Sequence, residues 1–126
     1  MSEEAAALIP LVFGVLMVPL VMVPLTRMAA DGELGPNSAA GIRTRHTCAS
    51  PEAWIAGHAA ALPRLKATVP VALLTAGSSI AAQVVGGGAW GVGVGLAGLL
   101  VELAVVVSAL GPANAAARAA KADHRG

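Results

Sequence analysis

Charge and aromatic rings are scarce in this chain. Across 126 residues, charged side chains make up 12% and aromatic ones 2%, with no tyrosine, one phenylalanine and two tryptophans. Soluble domains carry roughly a quarter charged residues. Set against 56% hydrophobic residues, the shortage of charge excludes an ordinary water-soluble domain and points to a bilayer. The single cysteine, Cys48, has no intrachain partner, which excludes a disulfide-stapled secreted scaffold. There is no Ser-His-Asp order, no glycine-rich phosphate loop and no paired-carboxylate site, so neither enzymatic activity nor a cofactor is expected. His46, Cys48 and His58 supply three candidate ligands at no standard zinc spacing, and no metal centre is expected.

What the chain does have is long uncharged runs. From Ala5 to Thr26 there is no charge over 22 residues, which at about 1.5 Å per residue spans roughly 33 Å, about a bilayer core. Glu3 and Glu4 ahead of so long a run fit a transmembrane helix better than a signal peptide, which needs a basic start and a shorter apolar core. Pro10, Pro19 and Pro24 each remove a backbone donor, predicting a bend around Pro19. Two more apolar runs, about 67–86 and 88–111, the second carrying one charge at Glu102, are separated only by glycine and predict a tight antiparallel hairpin. A basic tail, read as a frayed helix end, fills 112–126. The expectation is an all-α single membrane domain over 1–126, with three transmembrane helices plus a short amphipathic helix on the cytoplasmic face.

All eight Lys and Arg fall between positions 27 and 66 or between 118 and 125. Basic loops stay in the cytoplasm, so the N-terminus is expected outside, the loop after the first span inside, the hairpin turn outside and the tail inside. No nucleic acid is expected as a partner. Within the hairpin, Gly91, Gly95, Gly98 and Glu102 share one stripe, and Thr68, Ala72, Thr75, Ser79 and Ala82 another. Small residues let membrane helices approach closely, so these stripes are expected to face each other. Glu102 is the only ionisable group inside a predicted span, with Thr75 and Ser79 as its expected hydrogen-bond partners, either as a neutral interhelical link or as a working group.

Chemical variety concentrates between Asn37 and His58. Ser50-Pro51-Glu52 offers an N-cap, a proline at the first helical position and an acid in the first turn, predicting a helix from Pro51. Trp54 and His58 share one face of it, with Leu62 a turn on and Ile55 and Ala59 alongside. Such a helix is expected to lie at headgroup level, where an indole is favoured. Arg43 is the candidate for a fixed bidentate contact with a carboxylate or lipid phosphate, and Arg45 for headgroup attraction.

Asn37, then Gly41-Ile42-Arg43-Thr44, Thr47, Ser50, Glu52, Trp54 and His58 together resemble the signature of SdpI-type membrane proteins, a family named for the immunity protein against a secreted bacterial killing peptide. The motif covers about positions 35–60. The chain departs from that signature at Arg45, and at Ala61 and Leu62 a turn past the histidine. The resemblance implies a multi-pass protein of the bacterial cytoplasmic membrane, with immunity to or sensing of a membrane-active peptide as its role. A peptide toxin or a cytoplasmic regulator would be its partner. A different reading makes the chain a small accessory subunit that stabilises a larger membrane complex, or a homo-oligomer, through its glycine-lined hairpin.

Overall fold

The computed structural model describes residues 1–125, with side chains through Lys121. Gly126 lies outside that set, as does the side chain of Arg125. Among the described residues there are five α-helices, α1 (Glu3–Ala30), α2 (Pro51–Lys66), α3 (Thr68–Gly86), α4 (Trp90–Ser108) and α5 (Leu110–Arg125), with one 3-10 turn at Thr47–Ala49. No strand occurs among the described residues. Three runs are long and apolar enough to cross a membrane: Glu3–Ala30, Pro51–Gly86 and Trp90–Lys121. The second joins α2 to α3, and because α2 carries Glu52, Arg64 and Lys66, the uncharged α3 is the part suited to hydrocarbon. The chain is therefore an all-α, multi-pass membrane protein.

Proline sets two of the helix boundaries. Pro70 lies in the first turn of α3, where a missing N–H costs little, but it has no donor for the carbonyl of Lys66, and the helix breaks at Ala67. Pro112 acts in the same way on Ser108. The expected third span, 88–111, stops at Ser108, and a new helix starts at Leu110. Arg64 supplies the donor that Pro112 lacks, its Nη1 bonding the Ser108 carbonyl at 2.8 Å. Pro63 lies inside α2.

The contacts divide the chain into two compact units, Met1–Leu20 with Ala67–Val105 and Val21–Lys66 with Val106–Gly126. All eight basic residues belong to the second unit, together with four acidic ones, whereas the first holds only Glu3, Glu4 and Glu102.

In the first unit, α3 and α4 form the expected hairpin. Its turn is made at Gly87 and Gly88, whose φ values of 63° and 51° fall in the left-handed region that side chains avoid. The glycine stripe of α4 does face the small stripe of α3. A Cβ at Gly91 would sit 2.7 Å from Gln83 Cβ, one at Gly95 would sit 2.9 Å from Ser79 Oγ, and one at Gly98 would overlap the Thr75 side chain. Outward-facing Leu74, Val84, Val85 and Leu100 are about 70–90% exposed, the inside-out distribution that lipid tolerates.

Glu102 does not make the bonds expected of it. The Ser79 hydroxyl donates to the Gly91 carbonyl at 2.6 Å, and Thr75 fills the notch at Gly98. Glu102 is fully buried, and neither carboxylate oxygen has a partner among the described residues.

Replacing Gly98 with leucine is expected to force α3 and α4 apart and cost about 1–3 kcal/mol. Gly93→Leu, at a position with open space around its missing Cβ, is expected to leave stability unchanged. Thermal unfolding of the two variants in the same detergent compares them. Equal midpoints would mean that the glycine stripe does not hold the hairpin.

Candidate functional site

The second unit is assembled from the start of α2 outward. Ser50 caps the helix, its Oγ accepting the Ala53 N–H at 3.0 Å, with Pro51 at the first helical position and Glu52 in the first turn. From there Ala53, Trp54, Gly57, His58, Ala61 and Leu65 form the buried face. This stripe is rotated from the expected one. Ile55 and Ala59 are exposed and Leu62 is half-buried.

The face packs on α5, which is no frayed tail. Ala109, in the break before α5, and Ala113 and Ala117 within it are fully buried at four-residue intervals, and their small side chains let α5 approach α2 closely. Gly57 marks the closest point, since a Cβ there would lie 2.8 Å from Thr47 Cγ2 and 3.1 Å from the Ala113 carbonyl oxygen.

At the centre stands His58, fully buried. The Ile42 N–H donates to its Nε2 at 2.8 Å, and its Nδ1 lies 2.8 Å from the Trp54 carbonyl. A carbonyl only accepts and an amide N–H only donates, so the ring is the neutral tautomer protonated on Nδ1. The loop can reach the ring because position 41 is glycine. Gly41 has φ 104°, and a Cβ would stand 2.9 Å from both His58 Nε2 and Trp54 Cη2.

Two threonines lock the loop beyond that point. Thr47 Oγ1 donates to the Ile42 carbonyl at 2.6 Å and accepts the Thr44 N–H at 3.1 Å. Thr44 Oγ1 accepts the Thr47 N–H at 3.2 Å and donates to Asn114 Oδ1 on α5 at 2.6 Å. Trp54 is 1% exposed, so its ring faces protein. Its indole N–H finds the Leu34 carbonyl at 2.7 Å, which removes the usual reason for a buried indole to seek an interface. Its ring lies 4.2 Å from that of His58, and the Arg43 guanidinium stands 5.9 Å over it.

Of the residues singled out in the sequence, Gly41, Arg43, Thr44, Thr47, Ser50, Trp54 and His58 meet in this one cluster. Asn37, Glu52, Arg45 and Cys48 are exposed around it. Both His58 nitrogens are bonded to backbone, so His58 has no lone pair to offer a metal alongside His46 and Cys48. No group of three or more metal-ligating side chains occurs among the described residues. Sequence reasoning missed Gly57, Asn114 and the α5 alanines. The four-residue alanine spacing was their signal, but alanine is too common throughout this chain for it to stand out.

A model of the SdpI/YfhL protein family matches residues 33–112, well over half the chain, from the motif loop into the first turn of α5. No curated protein and no solved structure matches.

Burial pushes the His58 imidazole below its ordinary pKa of 6.5, and the bond to the Trp54 carbonyl offsets this only in part. The unfolded chain takes up a proton near 6.5 and the folded one resists it. The stability His58 contributes is thus full above about pH 6.5 and is lost as the pH falls toward the lowered folded value. Acidification from pH 7.5 to 5 is expected to lower the melting temperature in detergent more, or raise it less, for wild type than for His58→Gln, which should itself be about 1–3 kcal/mol less stable at pH 7.5. Equal shifts in the two proteins contradict this account.

Proposed function

The chain belongs to the SdpI/YfhL protein family, and on that premise we propose that it is a bacterial inner-membrane protein of the immunity type, which senses or neutralises a membrane-active peptide at the motif loop. The observation that carries this reading is the division of labour within the motif. Gly41, Thr44, Thr47, Trp54 and His58 are spent on holding the loop against α2 and α5, leaving Asn37, Arg45, Cys48 and Glu52 exposed on a fixed frame. A pre-organised polar loop binds a partner without a large ordering cost.

Confinement of all basic residues to the loop-bearing unit supports a cytoplasmic loop and tail with the N-terminus outside. A cytoplasmic regulator would then meet the loop directly. The reading as an accessory subunit of a larger complex relied on the glycine stripe of the hairpin. That stripe is occupied within the chain by Thr75, Ser79 and Gln83, which favours the loop as the working surface.

A strain lacking the protein is expected to become more sensitive to at least one membrane-active peptide. Wild type should restore resistance, whereas Asn37→Ala with Arg45→Ala should restore less at equal protein level. If no peptide in a broad panel distinguishes deletion strain from parent, the immunity role fails. Cys48 is free and exposed, so a membrane-impermeant maleimide should label it in inverted vesicles and not in intact cells. Labelling in intact cells reverses the topology.

A further inference from the structure

Arg43 is held in a way that leaves one edge of its guanidinium unused. Nη1 has two N–H groups, and both are engaged by the loop, one by the Pro36 carbonyl at 2.6 Å and the other by the Ser38 carbonyl. The indole of Trp54 lies beneath the plane. Position and orientation are therefore set by three contacts. Nε and Nη2 have no protein partner among the described residues, and the side chain is exposed. That free edge is the one with two parallel donors, the fork that grips a phosphate or carboxylate at two points.

Arg43 also lines a groove of about 320 Å³, together with Met22, Leu65, Val106, Val107 and Leu110. Its volume falls at the lower end of the ~300–1,000 Å³ typical of ligand pockets. Apart from the loop edge its walls are hydrocarbon. Met22 belongs to α1 and Val106 and Val107 to α4, helices apolar enough to cross a bilayer. Val107 and Leu110 are 63% and 38% exposed, so the groove opens outward along that apolar wall. The unit that contains it holds all eight basic residues against four acidic ones.

The geometry points to a binding site for one anionic phospholipid, its phosphate gripped by the Nε and Nη2 donors of Arg43 and the head of one acyl chain laid in the groove. An apolar channel beside a pre-set anion fork, in a cationic unit, matches a molecule that carries both features on one glycerol. This assignment does not depend on the immunity role.

The test uses the full chain purified in mild detergent, with bound lipid counted by native mass spectrometry against equimolar dioleoyl phosphatidylglycerol and dioleoyl phosphatidylcholine. One phosphatidylglycerol should be retained with a preference of about tenfold or more, because the ammonium of phosphatidylcholine offsets its phosphate charge and is repelled by the cationic unit. Arg43→Gln should bring the two lipids to parity, and Arg43→Lys should restore only part of the preference. Because Arg43 also braces the loop, Val107→Phe provides a second arm. It fills the groove, leaves the fork intact and should also weaken retention, while Arg118→Gln should retain the lipid as wild type does. Equal retention of both lipids overturns the proposal. So does a preference that survives both Arg43→Gln and Val107→Phe, or one that follows Arg118 instead. Displacement of the lipid by millimolar glycerol phosphate alone would mark a small-anion site and overturn it too.

Discussion

A neutral imidazole with both nitrogens bonded to backbone is the constraint on which the motif-bearing unit depends. His58 accepts from the Ile42 amide and donates to the Trp54 carbonyl, so one side chain joins a loop to a helix 16 residues further along. The ring cannot turn or take up a second proton without losing one of these bonds, and the acceptor is fully buried, where an unpaired polar group is expensive. The surrounding contacts follow from that geometry. Gly41 clears space for the ring, Thr47 ties down the carbonyl of the residue that donates to it, and Trp54 packs beside it with the two ring planes tilted by 44°.

The two units solve different packing problems. The hairpin has little to hold it except van der Waals contact, since lipid removes the hydrophobic drive between helices. Its glycines against Thr75, Ser79 and Gln83 are the form that contact takes. The loop-bearing unit relies on directional bonds, threonine to threonine and threonine to asparagine, which restrain a segment with little regular structure. In it the alanines of α5 play the part that glycine plays in the hairpin, bringing a backbone close enough for Gly57 to meet Thr47 and Ala113.

Much of this was legible in the residues. The uncharged runs gave the spans, the Gly87–Gly88 pair gave the hairpin turn, and Ser50-Pro51-Glu52 placed the start of α2. The facing of the hairpin stripes also followed from small-residue spacing. Other features were hidden because they depend on distant parts of the chain. Trp54 read as an interfacial anchor because nothing local reveals that the Leu34 carbonyl, 20 residues upstream, takes its N–H. Glu102 was matched to Thr75 and Ser79 by height alone. Height says nothing of the Gly91 carbonyl that Ser79 takes instead. The tail read as a frayed helix end because alanine periodicity is invisible against an alanine-rich background.

The exchange of donors at the end of α4 links two positions far apart in sequence. Pro112 deprives the Ser108 carbonyl of its helical partner and Arg64 replaces it from another helix. A chain with an ordinary residue at 112 could run α4 straight on, and the Arg64 guanidinium would then meet a carbonyl already bonded within the helix. The two positions are therefore thermodynamically coupled, and the effect of changing one depends on which residue occupies the other.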